Sequence, residues 1–257
     1  MAKATAKDSD AALKRTLADA CGILAMADQG DDVWGHVSAR VPGTDTFWMK
    51  PAAMGLEEVG PDDMLLIDID GNVLRGKHPR HSEVFIHSEI LRARPEVGAV
   101  VHTHPVPATV FSSLGVPLRP ITHEACNFVP PDVPRFTETS DLIVTPELGR
   151  SVARAIGDRP GLFLVSHGIV TAGRSIEEAV WLALKLERAC RVQLLAERAG
   201  GPKLLADGDD LRQKSRRANR TDLHTNVFNY LVRRWKCRHC HQDEARGADP
   251  SGHSSRA

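Results

Sequence analysis

Residues 98–105, GAVVHTHP, read as a buried strand that Pro105 ends. This segment constrains the fold more than any other. A strand has a period of two, so His102 and His104 leave the same face at one end of it. Two imidazoles released on one side of a strand end can share an ion. Taken alone, one could equally be exposed and the other a core histidine satisfied by a hydrogen bond.

The rest of the chain supplies elements that can surround such a strand. Leu13, Leu17, Ala20, Leu24 and Met26 predict an amphipathic helix over about 9–28, which Gly30 stops. VWGHVSARV and TFWMK predict two short strands joined at Pro42-Gly43. MLLIDIDGNVLRG predicts a hairpin turning at Asp70-Gly71. SEVFIHSEILRARP reads as a helix ended by Pro95, and PATVFSSLG as a short one. Residues 116–140 are rich in Pro and polar side chains and predict a long loop with a strand in it. TPELGRSVARAIG reads as a helix capped by Thr145 and ended by Gly157. GLFLVSHGIVTAG predicts a strand pair with a tight bend at Gly168. The helix that follows, SIEEAVWLALKLERACRVQLLAERAG, opens on a capping box, Ser175 with Glu178. A further helical stretch covers about 210–236, and the polar residues after Cys240 predict a frayed tail.

Lys+Arg and Asp+Glu number 33 each, so charge gives no reason to expect nucleic acid or an acidic membrane as partner. No apolar run approaches the roughly 18–20 residues of a membrane span, and MAKATAKDSDAALK has no apolar signal core. Five irregularly spaced Cys do not suggest a disulfide framework. A cytoplasmic enzyme is the expectation.

Two more residues carry chemistry. His167 sits where the apolar run LFLV breaks into Ser-His-Gly, and a glycine there suits a bend that aims a side chain. With His102 and His104 it would complete three imidazoles around an open position, a known catalytic metal arrangement. Imidazole donors suit zinc, iron, cobalt or nickel better than magnesium. Glu83 opens a helix beside Arg80, His81 and Ser82; the alternative role for it is a helix N-terminal acid that complements the macrodipole. Cys237-Arg-His-Cys240-His241 is a single CxxC without a second pair, a weak zinc signal. Arg216, Arg217, Arg220, Arg233 and Arg234 make the C-terminal helices basic, as a solvated or interface face would be.

The order GHVSAR, HSEVFIH, EVGAVVHTHP and LVSHGIVTAG before SIEEAV resembles the class II aldolase/adducin superfamily over about residues 10–200. The resemblance implies a three-layer α/β/α sandwich with a mostly antiparallel central sheet. The expectation is one such domain over 1–240, with the polar composition of 241–257 reading as a disordered tail; the resemblance further implies a homotetramer with active sites at subunit interfaces. It assigns His102, His104 and His167 as ligands of one divalent metal ion (zinc, manganese, iron or cobalt). It assigns Glu83 as the acid/base or an extra ligand.

Departures from the family pattern narrow the substrate. Sugar-phosphate members hold phosphate with a Gly-Asn pair, a Thr- or Ser-Gly pair and a Ser-Ser pair. Here these read Gly35-His36, Pro-Ala-Ala-Met-Gly over 51–55, and His81-Ser82. A phosphate dianion needs several donors, whereas His36, His81 and Ser82 could hold a carboxylate. His123 falls near the place of the neighbour-subunit tyrosine that donates a proton in the aldolases, and histidine can do the same near neutral pH. The RHSE, KPAAMGLEEV and THE segments are similar to a non-phosphate branch that includes dihydroxyphthalate decarboxylase. The expected activity is therefore a lyase acting on a small acidic molecule, decarboxylating a hydroxylated aromatic or ring-cleavage acid through a metal-stabilised enolate. An aldolase, an Fe(II)-dependent oxygenase of prenylated aromatic acids and an adducin-like non-catalytic protein are the alternatives.

Overall fold

The computed structural model describes residues 6–202 and 205–247. Leu13, Leu17 and Leu24 put one face of helix α1 (Ala6–Met26) against the core. Strands β1 (His36–Arg40) and β2 (Thr46–Met49) pair across the Pro42-Gly43 turn, where Gly43 takes φ +74°. Strands β3 (Leu65–Asp68) and β4 (Val73–Arg75) turn at Asp70-Gly71, and the Asp68 carboxylate accepts the N–H groups of Asp70 and Asn72. Helix α2 (Val84–Ala93), strand β5 (Ala99–Thr103) and helix α3 (Val106–Ser112) follow. The long loop holds one short strand, β6 (Arg135–Phe136), as expected. Helix α4 (Pro146–Ile156) starts at Thr145, whose Oγ1 accepts the Leu148 N–H at 3.3 Å. Strands β7 (Gly161–Leu164) and β8 (Gly168–Gly173) lead to helix α5 (Ile176–Arg198), which Ser175 caps. Helices α6 (Gly208–Ala218) and α7 (Thr221–Gly247) close the described chain.

The strands form one sheet in the order β4-β3-β2-β1-β5-β8-β7-β6. Every pairing is antiparallel except β6 with β7. Helices cover both faces. Val101 of β5 joins Leu17 and Leu24 of α1 and Leu186 of α5 in one core. Its neighbour Val100 joins Ile86 and Ile90 of α2 and Val152 and Ile156 of α4 in the other. Two covered faces explain why the central strands read as continuous apolar runs rather than alternating ones. The expected α/β sandwich with a mostly antiparallel sheet is what the chain forms.

Three local readings change. The stretch over 210–236 is two helices, because the His224 ring donates from Nε2 to the Ala218 carbonyl at 3.0 Å and closes α6. The bend before β8 takes its left-handed residue at Ser166 (φ +60°), not at Gly168. Gly168 is required by clearance: a Cβ there would lie 2.5 Å from the Thr103 carbonyl oxygen and 2.7 Å from His104 Cδ2. Helix α7 continues past residue 240 to Gly247, and the rest of the expected tail, 248–257, lies outside the described residues. The Cys240 side chain does too, so the CxxC reading rests on Cys237 alone, which is exposed. Among the described residues no helix is long and apolar enough to cross a membrane.

Candidate metal centre

Strand β5 lies between β1 and β8 near the middle of the sheet, and its C-terminal end carries His102 opposite His36 of β1 and Val170 of β8. His102 is fully buried. Its Nδ1 sits 2.9 Å from the Ile169 carbonyl oxygen. A carbonyl only accepts, so Nδ1 carries the proton and the Nε2 lone pair faces away from the strand. His104, just past the strand end, brings its own Nε2 to 3.0 Å from that of His102. The period of two thus delivers both rings to one point.

His167 enters from the β7–β8 turn, which its N–H closes by donating to Leu164 O at 3.1 Å. Its Nε2 is buried and has no hydrogen-bond partner. Glu83 comes from the start of α2. It makes no cap with its own helix. Instead Oε1 accepts the Ile143 N–H at 2.9 Å, and Oε2 stands 3.6 Å from both His102 Nε2 and His167 Nε2. These separations exceed hydrogen bonds.

The spacing fits a cation. One donor atom from each of Glu83, His102, His104 and His167 lies within 4.8 Å of the others. Bonds of about 2.1 Å to a tetrahedral ion separate the ligand atoms by about 3.4 Å. A buried lone pair on His102, an orphaned His167 nitrogen and an acceptor-only carboxylate all converge there, and a shared cation would satisfy each. His104 Nδ1 lies 3.6 Å from Asp31 Oδ2, a carboxylate placed to orient the ring from behind.

Burial works to raise the Glu83 pKa, but the His102, His167 and His36 rings around Oε2 outweigh it and hold the carboxyl well below its usual range. His36 is pushed well below its ordinary value, chiefly by burial. His81 is lowered to about 3, by burial and then by Lys50 beside it. Burial thus opposes a positive charge on either ring, and the carboxylate-anchor role expected of them from sequence calls for that charge. His81 Nε2 instead donates to the Pro51 carbonyl at 2.9 Å. The Ser82 side chain is exposed.

A cleft of about 470 Å³ opens over the cluster, with Glu83, His104 and His167 in its wall. Trp34, Val106, Val110 and Leu142 form its apolar side, and Asp31 and Asp141 its charged one. None of its lining residues is Lys or Arg, and His36, His81 and Ser82 are not among them. His123 lies elsewhere in the chain, in a pocket with Trp181, Lys185, Lys214 and Arg217.

Two residues escaped sequence reasoning. His87 is fully buried, with Nε2 2.7 Å from His36 Nδ1 and Nδ1 2.7 Å from Ser38 Oγ. The signal was there: His87 lies four residues after Glu83 on one helix face, and Ser38 two after His36 on one strand face.

Residues 15–194 match the family described as Class II Aldolase and Adducin N-terminal domain. The chain is 36% identical to Decarboxylase NovR of Streptomyces niveus, over 62% of this chain and 59% of that protein. It therefore spans about three fifths of that relative's length. It is 32% identical to the 3,4-dihydroxyphthalate decarboxylase of Arthrobacter keyseri, over 77% of this chain and 85% of that one. Among solved structures it is similar to L-fuculose 1-phosphate aldolase from Glaciozyma antarctica PI12, with a TM-score of 0.81 and 28% identity over 92% of this chain and 93% of that chain. The match to the family over most of the chain, on a fold that converges His102, His104, His167 and Glu83, means that this protein belongs to the class II aldolase and adducin family.

Proposed function

We propose that this chain is a metal-dependent lyase that removes carbon dioxide from a hydroxylated aromatic or ring-cleavage carboxylic acid. One pairing supports this reading most. A four-group cluster spaced for a cation adjoins a cleft that is apolar on one side and has no Lys or Arg in its lining. The names of the two decarboxylase relatives point the same way.

His102, His104 and His167 would hold the ion through imidazole nitrogen, a donor set that zinc, manganese, iron or cobalt can use. When bound, the ion supplies Lewis-acid polarisation of a substrate oxygen. Glu83, held ionised, takes the proton of the substrate hydroxyl on Oε2 and passes it to the carbon that bears the carboxylate. The carbon–carbon bond breaks, carbon dioxide leaves, and the bonding pair restores the conjugated system. The product oxygen regains a proton from water. Trp34, Val106, Val110 and Leu142 offer an apolar surface to the body of the substrate.

A phosphate dianion calls for more donors than a single carboxylate does, and this lining supplies neither Lys nor Arg for them. In this reading the working assembly is a cytoplasmic homotetramer, and His123 of a neighbouring chain is a second proton carrier. Its ligand is a small acidic molecule, with no nucleic acid or membrane partner. Aldol cleavage is the second reading, favoured by the likeness to L-fuculose 1-phosphate aldolase.

The test is metal analysis of the purified protein, followed by carbon dioxide release from hydroxybenzoates, hydroxyphthalates and ring-cleavage acids. Fuculose phosphate and ribulose phosphate serve as the opposing substrates. Chelator-sensitive release from one of the acids is expected. Efficient cleavage of a sugar phosphate, with no carbon dioxide from any acid, would replace the decarboxylase by the aldolase.

A further inference from the structure

We propose that Ser112, the last residue of α3, is a positioning residue that aims His167. Its hydroxyl accepts the Ser166 N–H, with Ser166 N 3.2 Å from Ser112 Oγ. That bond holds the β7–β8 turn in the left-handed bend at Ser166, φ +60°, from which His167 enters the site. The proposal rests on the reading above that His167 is a metal ligand.

The chemistry of the hydroxyl fixes the sense of the contact. Ser112 is buried, and its Oγ lies 2.7 Å from the Thr109 carbonyl oxygen, one turn back on α3. A carbonyl only accepts, so the hydroxyl proton goes to Thr109. The lone pairs are then left for the Ser166 N–H, which only donates. Ser113 also reaches the turn, with its Oγ 3.1 Å from Ser166 Oγ. That contact joins two exposed side chains and holds no backbone group.

Three backbone N–H groups lie in the turn between Leu164 and Gly168. The Val165 N–H donates to Phe136 O of β6 at 3.2 Å, and the His167 N–H returns to Leu164 O at 3.1 Å. Both acceptors are backbone. Of the three, only the Ser166 N–H depends on a side chain. Ser166 is also the residue of the turn in a conformation that costs a side chain energy. The strained residue is thus held by the one bond that a substitution can remove. Gly168, two residues on, is hemmed in by the Thr103 carbonyl and the His104 ring. A turn that relaxes at Ser166 must therefore take up the change at His167, between the two. His167 Nε2 then leaves its place 3.6 Å from Glu83 Oε2. Helix α3 also supplies Val106, Thr109 and Val110 to the cleft wall, so one hydroxyl ties that wall to the turn that carries the ligand.

The test is cobalt(II) titration of the full chain and its variants. Affinity is expected to fall about 10-fold or more in Ser112→Ala, the scale of orienting groups behind a metal ligand. It should stay at the wild-type value in Ser113→Ala and in Ser166→Gly. Glycine takes the left-handed bend without strain. Adding Ser166→Gly to Ser112→Ala should therefore restore most of the affinity, which a mere packing defect in α3 would not allow. Wild-type affinity in Ser112→Ala, or a double variant as weak as Ser112→Ala, overturns the proposal. Amide hydrogen exchange on the metal-free protein gives a second readout. The Ser166 N–H should exchange faster in Ser112→Ala and at the wild-type rate in Ser113→Ala. Equal exchange in Ser112→Ala and wild type also overturns the proposal. His167→Ala separates it from the reading beneath. Cobalt binding lost in His167→Ala but intact in Ser112→Ala sinks this proposal alone. Undiminished binding in His167→Ala sinks the metal reading, and the proposal with it.

Discussion

At the scale of the residue, the two oxygens of Glu83 do different work. Oε1 is tied to the backbone at Ile143, and Oε2 faces the imidazoles. Glu83→Gln keeps the size and removes the charge. The metal should largely remain, held by three imidazoles, while carbon dioxide release falls by about 100-fold or more, the scale of a general acid/base group. Unchanged turnover with unchanged metal content would return Glu83 to a structural role. His102→Ala is the opposite case. It removes a ligand and also strands the Ile169 carbonyl, so metal content should drop to background when measured on the dialysed protein. His87 makes a third prediction, in stability. Burial pushes its pKa well below 6.5, so the folded chain keeps it neutral where the unfolded chain takes up a proton. The unfolded state binds more protons, and stability therefore falls as pH drops below about 6.5, by up to about 1.4 kcal/mol per pH unit for one such group. The urea midpoint of the metal-free protein should be lower at pH 5 than at pH 7.5, with a shallower slope in His87→Phe. An equal slope in the two proteins would mean that His87 charges freely in the fold.

At the scale of the element, the site depends on how closely β8 passes the end of β5. Gly168→Ala would drive a Cβ into the Thr103 carbonyl and the His104 ring. Backbone cannot step aside as a flexible side chain can, so strand pairing and both histidines must shift. The expected result is a loss of about 1–3 kcal/mol, the range for overpacking, together with weakened metal binding. Gly43→Ala is the control. Its φ of +74° disfavours alanine, but nothing lies within 4 Å of the added Cβ. It should cost stability without touching the metal. If both variants bind metal alike, the close passage of β8 does not set the site. The contrast also marks what a sequence can carry. His102 and His104 were legible because a strand period alone puts them on one face, and Thr145 and Ser175 because a cap is written in one side chain. Gly168 was legible as important but not for the right reason, since clearance against a distant strand has no local signature. The same holds for His87. A histidine on a helix face reads as core until the strand that brings His36 and Ser38 to it is known. The division between α6 and α7 was missed because it carries no Gly or Pro; His224 makes it by reaching back to Ala218.

At the scale of the whole molecule, the open question is what completes the cleft. Its walls hold no Lys or Arg, and Trp34, Val106, Val110 and Leu142 stand 52%, 73%, 47% and 48% exposed at its rim. His123, expected from sequence to serve the reaction, stands apart from the cluster among Lys185, Lys214 and Arg217. A cyclic assembly reconciles the two. A head-to-tail contact brings one surface of each chain to a different surface of the next and closes into a ring. In such a ring the His123 pocket would meet the neighbour's cleft and bring cations to an acidic substrate. The prediction is a tetramer by light scattering and complementation between two inactive parents. A His123→Ala chain keeps Glu83, and a Glu83→Gln chain keeps His123. When equal amounts are unfolded together and reassembled, a site works only if its cluster comes from the first and its histidine from the second. The chance is one half times one half, so about a quarter of wild-type activity should return from parents that have almost none. Assembly after separate refolding should give nothing, because the rings are already uniform. A monomer, or mixed rings no more active than their parents, would mean that His123 serves no neighbouring cleft and that the substrate's charge is met within one chain.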